Sequence, residues 1–290
     1  MKTPVAILGL GIMGSGMARR LAASGFPLSV YSRNREKAAP FPELGAFVAD
    51  SPRQAAARAN IVISMVSDDA ASRAVWMGDD GALAGAPSGS VLIESSTLTV
   101  GWVKELAAAA SERDREFLDA PVTGTKPHAE SGQLLFLVGG SASAIEIARP
   151  VLSVLGRDIV HLGPTASGAL MKLINNFMAA VQAVSFGEAL ALIQAGGLDV
   201  DKALAILGEG APGSPMVKRV AARVSSGDFT PHFFLRLMTK DVAYAVEEAK
   251  SRGVPLPTAQ AALSVFRQAQ LDGHSEQDFT AVIQSLKPPK

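Results

Sequence analysis

Short, continuous apolar runs alternate with alanine-rich stretches of helical spacing through the first half of the chain. The runs fall at residues 5–8, 28–31, 61–66, 91–94, 117–120, 134–138 and 159–162. Between most of them, apolar positions recur every three to four residues, at 52–58, 70–76, 100–113 and 144–155. Apolar runs of strand length separated by helix-length segments predict buried strands joined by crossover helices, and so a largely parallel sheet. From about Thr165 the strand-like runs stop, and helical periodicity continues with breaks at 196–197, 208–215, 227–231, 253–257 and 273. Residues 168–195 predict a single connecting helix, about 40 Å long at 1.5 Å per residue. The expected protein is α/β. A doubly wound sheet of Rossmann type occupies residues 1–163, and an all-α domain that begins with the connecting helix occupies 164–290.

The first strand runs directly into Gly9-Leu10-Gly11-Ile12-Met13-Gly14. In a strand–turn–helix setting the first glycine permits the tight turn. The second lets backbone approach a pyrophosphate, and the third lets helix and strand pack closely. The phosphates then meet free N–H groups at the positive end of the helix. A G-x-G-x-x-G by itself is a weak signal in a chain with 27 glycines. The strand before it and the helix after it make a dinucleotide site the better reading.

An acidic residue that would take the ribose 2′-hydroxyl is missing after the second strand, which ends Tyr31-Ser32-Arg33-Asn34-Arg35. A guanidinium fork matches a phosphate. The loop reads either as a solvated basic turn or as the contact for a 2′-phosphate. Given the fingerprint, NADP(H) is preferred and NAD(H) is possible.

Other strand exits carry hydroxyls. In Ser95-Ser96-Thr97-Leu98-Thr99, Thr99 suits a helix cap, which leaves Ser96 and Thr97 for a carboxylate or the nicotinamide amide. The exit at Asp119-Ala120-Pro121-Val122-Thr123-Gly124-Thr125-Lys126 suits a turn, and equally a pocket whose N–H groups face an anion. Gly168, Lys172 and Asn176 are spaced to share one face of the long helix. Gly168 would admit another backbone or a cofactor to that face. Lys172 lies among Leu170, Met171, Leu173 and Ile174. It is either a lysine reaching past apolar neighbours to water or one tuned by burial for acid–base work.

Composition removes several classes. Lysine plus arginine equals aspartate plus glutamate at 27 each, with no basic stripe for a nucleic acid or a membrane surface. The chain has no cysteine, hence no disulfide, thiol nucleophile or cysteine-bound metal. His128, His161, His232 and His274 are scattered without ligand spacing, so no metal site is expected. The first strand starts too early to leave room for a signal peptide. The most apolar stretch, 177–198, is broken by Gln182, Glu188, Gln194 and a Gly-Gly pair, so it reads as a buried helix rather than a membrane span. The expectation is a cytoplasmic protein.

Taken together, these motifs resemble the β-hydroxyacid dehydrogenases, which include 3-hydroxyisobutyrate dehydrogenase, tartronate semialdehyde reductase and the glyoxylate/succinic semialdehyde reductases. The similarity runs over essentially the whole chain. Gly9 through Ala18 is similar to the opening signature, Met65-Val66-Ser67 to the second cofactor loop, and Ser95-Ser96-Thr97 to the third. Asp119 through Gly124 resembles the substrate loop, and Lys172 with Asn176 the catalytic K-x-x-x-N. Phe233 through Lys240-Asp241 resembles the C-terminal K-D motif.

The resemblance implies a cofactor site of Gly9, Leu10, Gly11, Ile12, Met13, Gly14, Ser32, Arg33, Asn34, Met65, Val66, Thr97 and Lys240. It implies substrate contacts from Ser96, Thr123, Gly124, Thr125, Phe233 and Asp241. Lys172 is the implied acid/base, and Asn176 helps hold the substrate. Thr123 and Gly124 grip the carboxylate, Thr97 and Lys240 line the nicotinamide, Asp241 orients the lysines, and Phe233 closes the pocket from the second domain.

Gly124-Thr125-Lys126 with Gly132-Gln133-Leu134 leans toward the semialdehyde-reductase branch, which generally favours NADPH, in line with Arg33. Three positions depart from the usual pattern: Ser32 stands for an asparagine, Thr123 for a serine and Ala166 for a glycine. The implied reaction is reversible hydride transfer between a small carboxylate-bearing aldehyde and its hydroxy acid, in a homodimer or homotetramer. The rivals are an NAD-dependent 3-hydroxyisobutyrate or serine dehydrogenase, an imine reductase, against which Lys172 argues, and a non-catalytic dinucleotide-binding module.

Overall fold

The computed structural model describes residues 2–286. Its strands are β1 Val5–Leu8, β2 Leu28–Tyr31, β3 Phe47–Val48, β4 Ile61–Ser64, β5 Val91–Glu94, β6 Glu116–Asp119, β7 Val122–Thr123, β8 Leu134–Gly140 and β9 Gly156–Gly163. The helices up to the end of the sheet are α1 Ile12–Ala23, α2 Pro52–Ala56, α3 Asp69–Trp76, α4 Ala82–Gly85, α5 Val100–Ser111, α6 Lys126–Ser131 and α7 Ala142–Leu155. They are followed by α8 Ser167–Ala195, α9 Val200–Glu209, α10 Pro215–Ser226, α11 Leu235–Ser251 and α12 Pro257–Leu271, and by a 3₁₀ segment, Phe279–Leu286.

The sheet runs in the order β3-β2-β1-β4-β5-β6-β8-β7, with β9 on the other edge of β8. From β3 to β6 every pairing is parallel. Strands β1, β4 and β5 are buried at every residue, which is why they read as unbroken apolar runs rather than alternating ones. The chain moves from β1 outward to β2 and β3, then returns to β4 on the other side of β1. The strand order therefore reverses between β1 and β4, where open α/β sheets bind ligands. Leu8 pairs with Tyr31 and Ser64, Ser64 with Glu94, and Glu94 with Asp119. Five strands thus end in one row.

Two features differ from the pattern-based expectation. Strand β8 runs antiparallel to β6 and β7. Residues 124–133, which link β7 to β8 through the short α6, number too few for a crossover, which takes a dozen or more. The chain therefore turns back, and the sheet becomes parallel again only after α7 supplies a full crossover to β9. Strands β3 and β7 were not anticipated, because two residues are too short to show a period.

The chain divides into two compact units, Met1–Lys172 and Leu173–Lys290, with the division inside α8. The core of the second unit is built from Leu235, Val242, Phe266, Phe279 and Val282. The breaks read from the sequence are its interhelical connections. By length and composition α8 is the one helix among the described residues able to cross a membrane, despite its polar interruptions. It contributes Ala180, Ala183, Val184, Phe186 and Leu190 to the core of the helical unit, as a buried helix does.

The turn into α8 holds Ala166 at φ +76, a left-handed conformation that costs an L-residue about 1–2 kcal/mol. This accounts for the glycine usual at that position. Glycine would also loosen the unfolded chain by about 0.4–1 kcal/mol. Ala166→Gly is therefore expected to raise stability in urea unfolding by roughly 0.5–1 kcal/mol, and a loss of stability would show that the turn is unstrained.

Candidate active site

The loop after β1 is built as its sequence suggests, but its glycines answer to different neighbours. A Cβ on Gly9, at φ +100, would lie 2.4 Å from the Met65 carbonyl oxygen, and one on Gly14 would lie 2.0 Å from that of Gly9. Both are glycine because protein backbone is in the way. A Cβ on Gly11 would meet nothing within 4 Å. Helix α1 starts there with no side-chain cap and no acid in its first turn, so the N–H groups following Leu10 and Gly11 are left for an anion. Such a cradle fits the phosphates of a dinucleotide.

At the end of β2, Ser32 is nearly buried, and the Asn34 side chain caps the next 3₁₀ turn by accepting from the Glu36 N–H at 3.0 Å. Arg35 pairs with Asp50 at 3.0 Å. Arg33 is exposed, and among the described residues it has no hydrogen bond or ion pair.

The next two loops are fastened to each other. The Val66 N–H donates to Ser96 Oγ at 2.8 Å, and Asp69 accepts from the Thr99 N–H and hydroxyl at 3.0 and 2.6 Å. Thr99 also caps α5, as expected. Beneath them lies Glu94, the last residue of β5 and 1% exposed, which the sequence reading did not single out. Its carboxylate accepts from Ser72 Oγ at 2.6 Å, Trp76 Nε1 at 2.8 Å and the Ser96 N–H at 2.9 Å. Burial pushes its pKa up against the pull of these donors. Ser96 is 3% exposed, Thr97 half-buried.

Asp119 ends β6 and opens the substrate-type loop. Its oxygens accept from the N–H groups of Ala166 and Ala169 at 2.7 and 2.8 Å, so a carboxylate at a strand end caps the helix that carries Lys172. A Cβ on Gly168 would lie 2.1 Å from the Leu137 carbonyl oxygen. Of the two partners considered for Gly168, the structure shows backbone. Lys172, one turn further along, is half-buried. In the loop itself Gly124 sits at φ +130 and Thr123 is half-buried. The Thr125 N–H donates to His128 Nδ1 at 3.1 Å, which ties Thr125 to the start of α6.

In the helical unit, Asn176 follows Lys172 by one turn of α8 and is 3% exposed. Its Nδ2 donates to Asp241 Oδ2 at 2.6 Å, and the other oxygen of Asp241 pairs with Lys240 at 2.8 Å. Lys240 also lies over the Tyr244 ring at 4.7 Å. Phe233 meets Phe279 edge-on at 5.9 Å. Its backbone is held by buried Asp278, which accepts from the His232 and Phe233 N–H groups at 2.9 and 3.2 Å and faces Arg219 at 3.5 Å. Asp278 was not anticipated. Glu94 and Asp119 had a visible signal, an acid closing an otherwise apolar run, whereas Asp278 follows no such run. Among the described residues no group of three or more His, Asp or Glu is placed to hold a metal ion.

Comparison with known proteins places this arrangement. A family profile described as the NAD binding domain of 6-phosphogluconate dehydrogenase matches residues 4–163, and one described as NAD-binding of NADP-dependent 3-hydroxyisobutyrate dehydrogenase matches 166–286. The chain is 33% identical over 294 aligned positions to the rat mitochondrial 3-hydroxyisobutyrate dehydrogenase, covering 99% of this chain and 88% of the relative. The chain belongs to the 3-hydroxyisobutyrate dehydrogenase family. It is thus an NAD(P)-dependent β-hydroxyacid dehydrogenase.

Other members differ in what their names record. Glyoxylate/succinic semialdehyde reductase 1 of Arabidopsis thaliana is 34% identical, with 98% of each chain covered. The NAD-dependent L-serine dehydrogenase of Pseudomonas aeruginosa is 35% identical at the same coverage. A solved Mycobacterium tuberculosis 3-hydroxyisobutyrate dehydrogenase with L-serine superposes at TM-score 0.90 and 30% identity, covering 99% of this chain and all of the other.

In this dehydrogenase Asp119 is a titratable fastening between sheet and helix. Burial raises its pKa from 3.8 to about 6, although the two N–H donors favour the charged form. The folded state then keeps a proton that the unfolded chain gives up. The group's contribution is greatest below pH 4 and declines as pH rises through 6, by on the order of 3 kcal/mol. Asp119→Asn keeps the shape but turns an amide N–H toward a donor, so it is less stable than the parent. That deficit should shrink between about pH 4 and pH 7 in urea unfolding, and a deficit that grows would overturn the assignment.

Proposed function

We propose that the chain is an NADP(H)-dependent reductase of a small carboxylate-bearing aldehyde, a semialdehyde or glyoxylate, with Lys172 as general acid. The observation that carries this reading is the contact chain Asn176–Asp241–Lys240, which begins one helical turn from Lys172. A buried polar chain of this kind adds little stability over apolar packing, so its presence supports a use in the reaction, and reduction of a carbonyl offers one. The nicotinamide, when bound, supplies the hydride. Lys172 stabilises negative charge that grows on the carbonyl oxygen and delivers the proton there. Asn176 holds the substrate, and Asp241 fixes both Asn176 and Lys240. Thr123 and Gly124 receive the carboxylate, Ser96 and Thr125 are further substrate contacts, and Phe233 presents an apolar wall against water.

The dinucleotide is held by Gly9 through Gly14, by Met65, Val66 and Thr97, and by Lys240. Ser32, Arg33 and Asn34 take its ribose end. The unengaged guanidinium of Arg33 favours NADP(H), since a 2′-phosphate offers it the partner it lacks. Domains at 1–163 and 164–290, a cytoplasmic setting and a homodimer or homotetramer belong to the same reading. Leu192 and Ile206, 74% and 70% exposed, support the last of these. The second reading is NAD-dependent oxidation of L-serine or 3-hydroxyisobutyrate, and the 35% identical serine dehydrogenase favours it.

Two experiments test the proposal. Lys172→Ala should lower turnover by at least about a hundredfold while NADPH binding persists, and near-normal turnover would refute the acid role. A spectrophotometric screen should compare NADPH and NADH over glyoxylate and succinic, methylmalonate and tartronate semialdehydes. Arg33→Ala should raise KM for NADPH by about tenfold or more and leave KM for NADH nearly unchanged. Equal effects on the two cofactors would remove the phosphate contact.

A further inference from the structure

Glu94 takes no part in the proposed hydride and proton transfer, yet it is among the most deeply buried acids of the described residues. Every group around it donates. Ser72 Oγ and Trp76 Nε1 point at one oxygen and the Ser96 N–H at the other. Trp102 Nε1 donates to Ser72 Oγ at 2.9 Å, which leaves the Ser72 hydrogen to point at Glu94. Both tryptophans of the chain therefore end in this network. A protonated Glu94 would add a hydroxyl among donors, so the donor count calls for a carboxylate.

A buried charge is poor evidence of stability, because apolar residues of the same volume often do as well. Its place in the fold supplies another reason. Glu94 holds the Ser96 N–H, and Ser96 Oγ in turn accepts from the Val66 N–H at 2.8 Å. The Met65 carbonyl and the Val66 side chain press on Gly9, where a Cβ would meet them at 2.4 and 2.9 Å. One carboxylate is thereby linked through two loops to the glycine turn. Hydrogen bonds to a charged group, made in a buried setting, hold such a frame more firmly than neutral ones.

We propose that Glu94 is a positioning residue for the dinucleotide, fixing the Met65–Val66 and Ser95–Thr97 loops against each other and against Gly9 in the arrangement that binds it. The inference rests on the reading of these loops as the cofactor site. In Glu94→Gln one amide N–H must face a donor whichever way the side chain is turned.

The test is calorimetric binding of NADPH to the full chain, well below its melting temperature, with tryptophan emission as a local report. Glu94→Gln should weaken NADPH binding about tenfold or more and shift the emission of Trp76 and Trp102. Ser96→Ala should weaken binding too, and the double variant should bind no worse than Glu94→Gln alone, since both cut one chain of contacts. If Glu94→Gln lowers the melting temperature but binds within about twofold of the parent, or if the two losses simply add, the role is only structural and the proposal falls. If Glu94→Gln does not fold, Ser96→Ala decides by the same criterion, because it cuts the link while the carboxylate stays. A parent chain that binds neither NADPH nor NADH would instead end the reading of the site, and this inference with it.

Discussion

Strands β2, β1, β4, β5 and β6 pair in step, and the rest of the site depends on that registration. Tyr31, Leu8, Ser64, Glu94 and Asp119 are lateral neighbours, so five loops leave the sheet along one edge. At about 4.8 Å per strand, the row is roughly 19 Å long. A slip of one residue in any strand would move its loop along the edge and turn its side chains to the opposite face. Close packing on both faces opposes such a slip, because every side chain of β1, β4 and β5 is buried against neighbours that fit it in one register. The register that stabilises the core is therefore the same one that collects glycine turn, hydroxyl loops and substrate-type loop in one place.

Registration brings the loops together without making them rigid. That work falls to carboxylates buried where regular elements end or begin. Glu94 and Asp119 close β5 and β6, and Asp278 stands just before the 3₁₀ segment. Glu94 gathers one backbone N–H and two side-chain donors, and Asp119 gathers two backbone N–H groups across 47 and 50 residues of sequence. Asp278 holds the backbone on which Phe233 is presented. Loop N–H groups have no ladder to join and must find acceptors when buried. A carboxylate offers about four acceptor sites, where an amide or hydroxyl oxygen offers two. For Glu94 and Asp119 the donors offset desolvation only in part, since burial still raises both pKa values.

Much of this was legible in the sequence because it rests on periodicity and on glycine. Unbroken apolar runs marked strands buried on both faces, and the glycine breaks marked the helix connections. The turn at Gly9–Gly14 could be placed between a strand and a helix without any coordinates. The rest depended on contacts between distant residues, to which periodicity is blind. The antiparallel course of β8 follows from the length of the β7–β8 link, and β7 itself was too short to see. The partnership of Asn176 with Asp241 spans 65 residues and that of Val66 with Ser96 spans 30. Ser96 was expected to meet a carboxylate or the nicotinamide amide, and its acceptance of the Val66 N–H was not visible from the sequence.

The structure also separates residues that their neighbours explain from residues that they do not. Gly9, Gly14 and Gly168 would each drive a Cβ into backbone, so packing alone accounts for them. Gly11 has open space where its Cβ would be, and nothing inside the chain requires glycine there. Arg35 and Arg33 make the same contrast on one short turn, since the first has Asp50 and the second has no partner among the described residues. A residue explained by its neighbours says little about ligands. One that its neighbours leave unexplained, at the end of a strand row that collects loops, is where a ligand contact is to be sought. Gly11 and Arg33 stand at the two places where a dinucleotide phosphate would need, respectively, close backbone approach and positive charge.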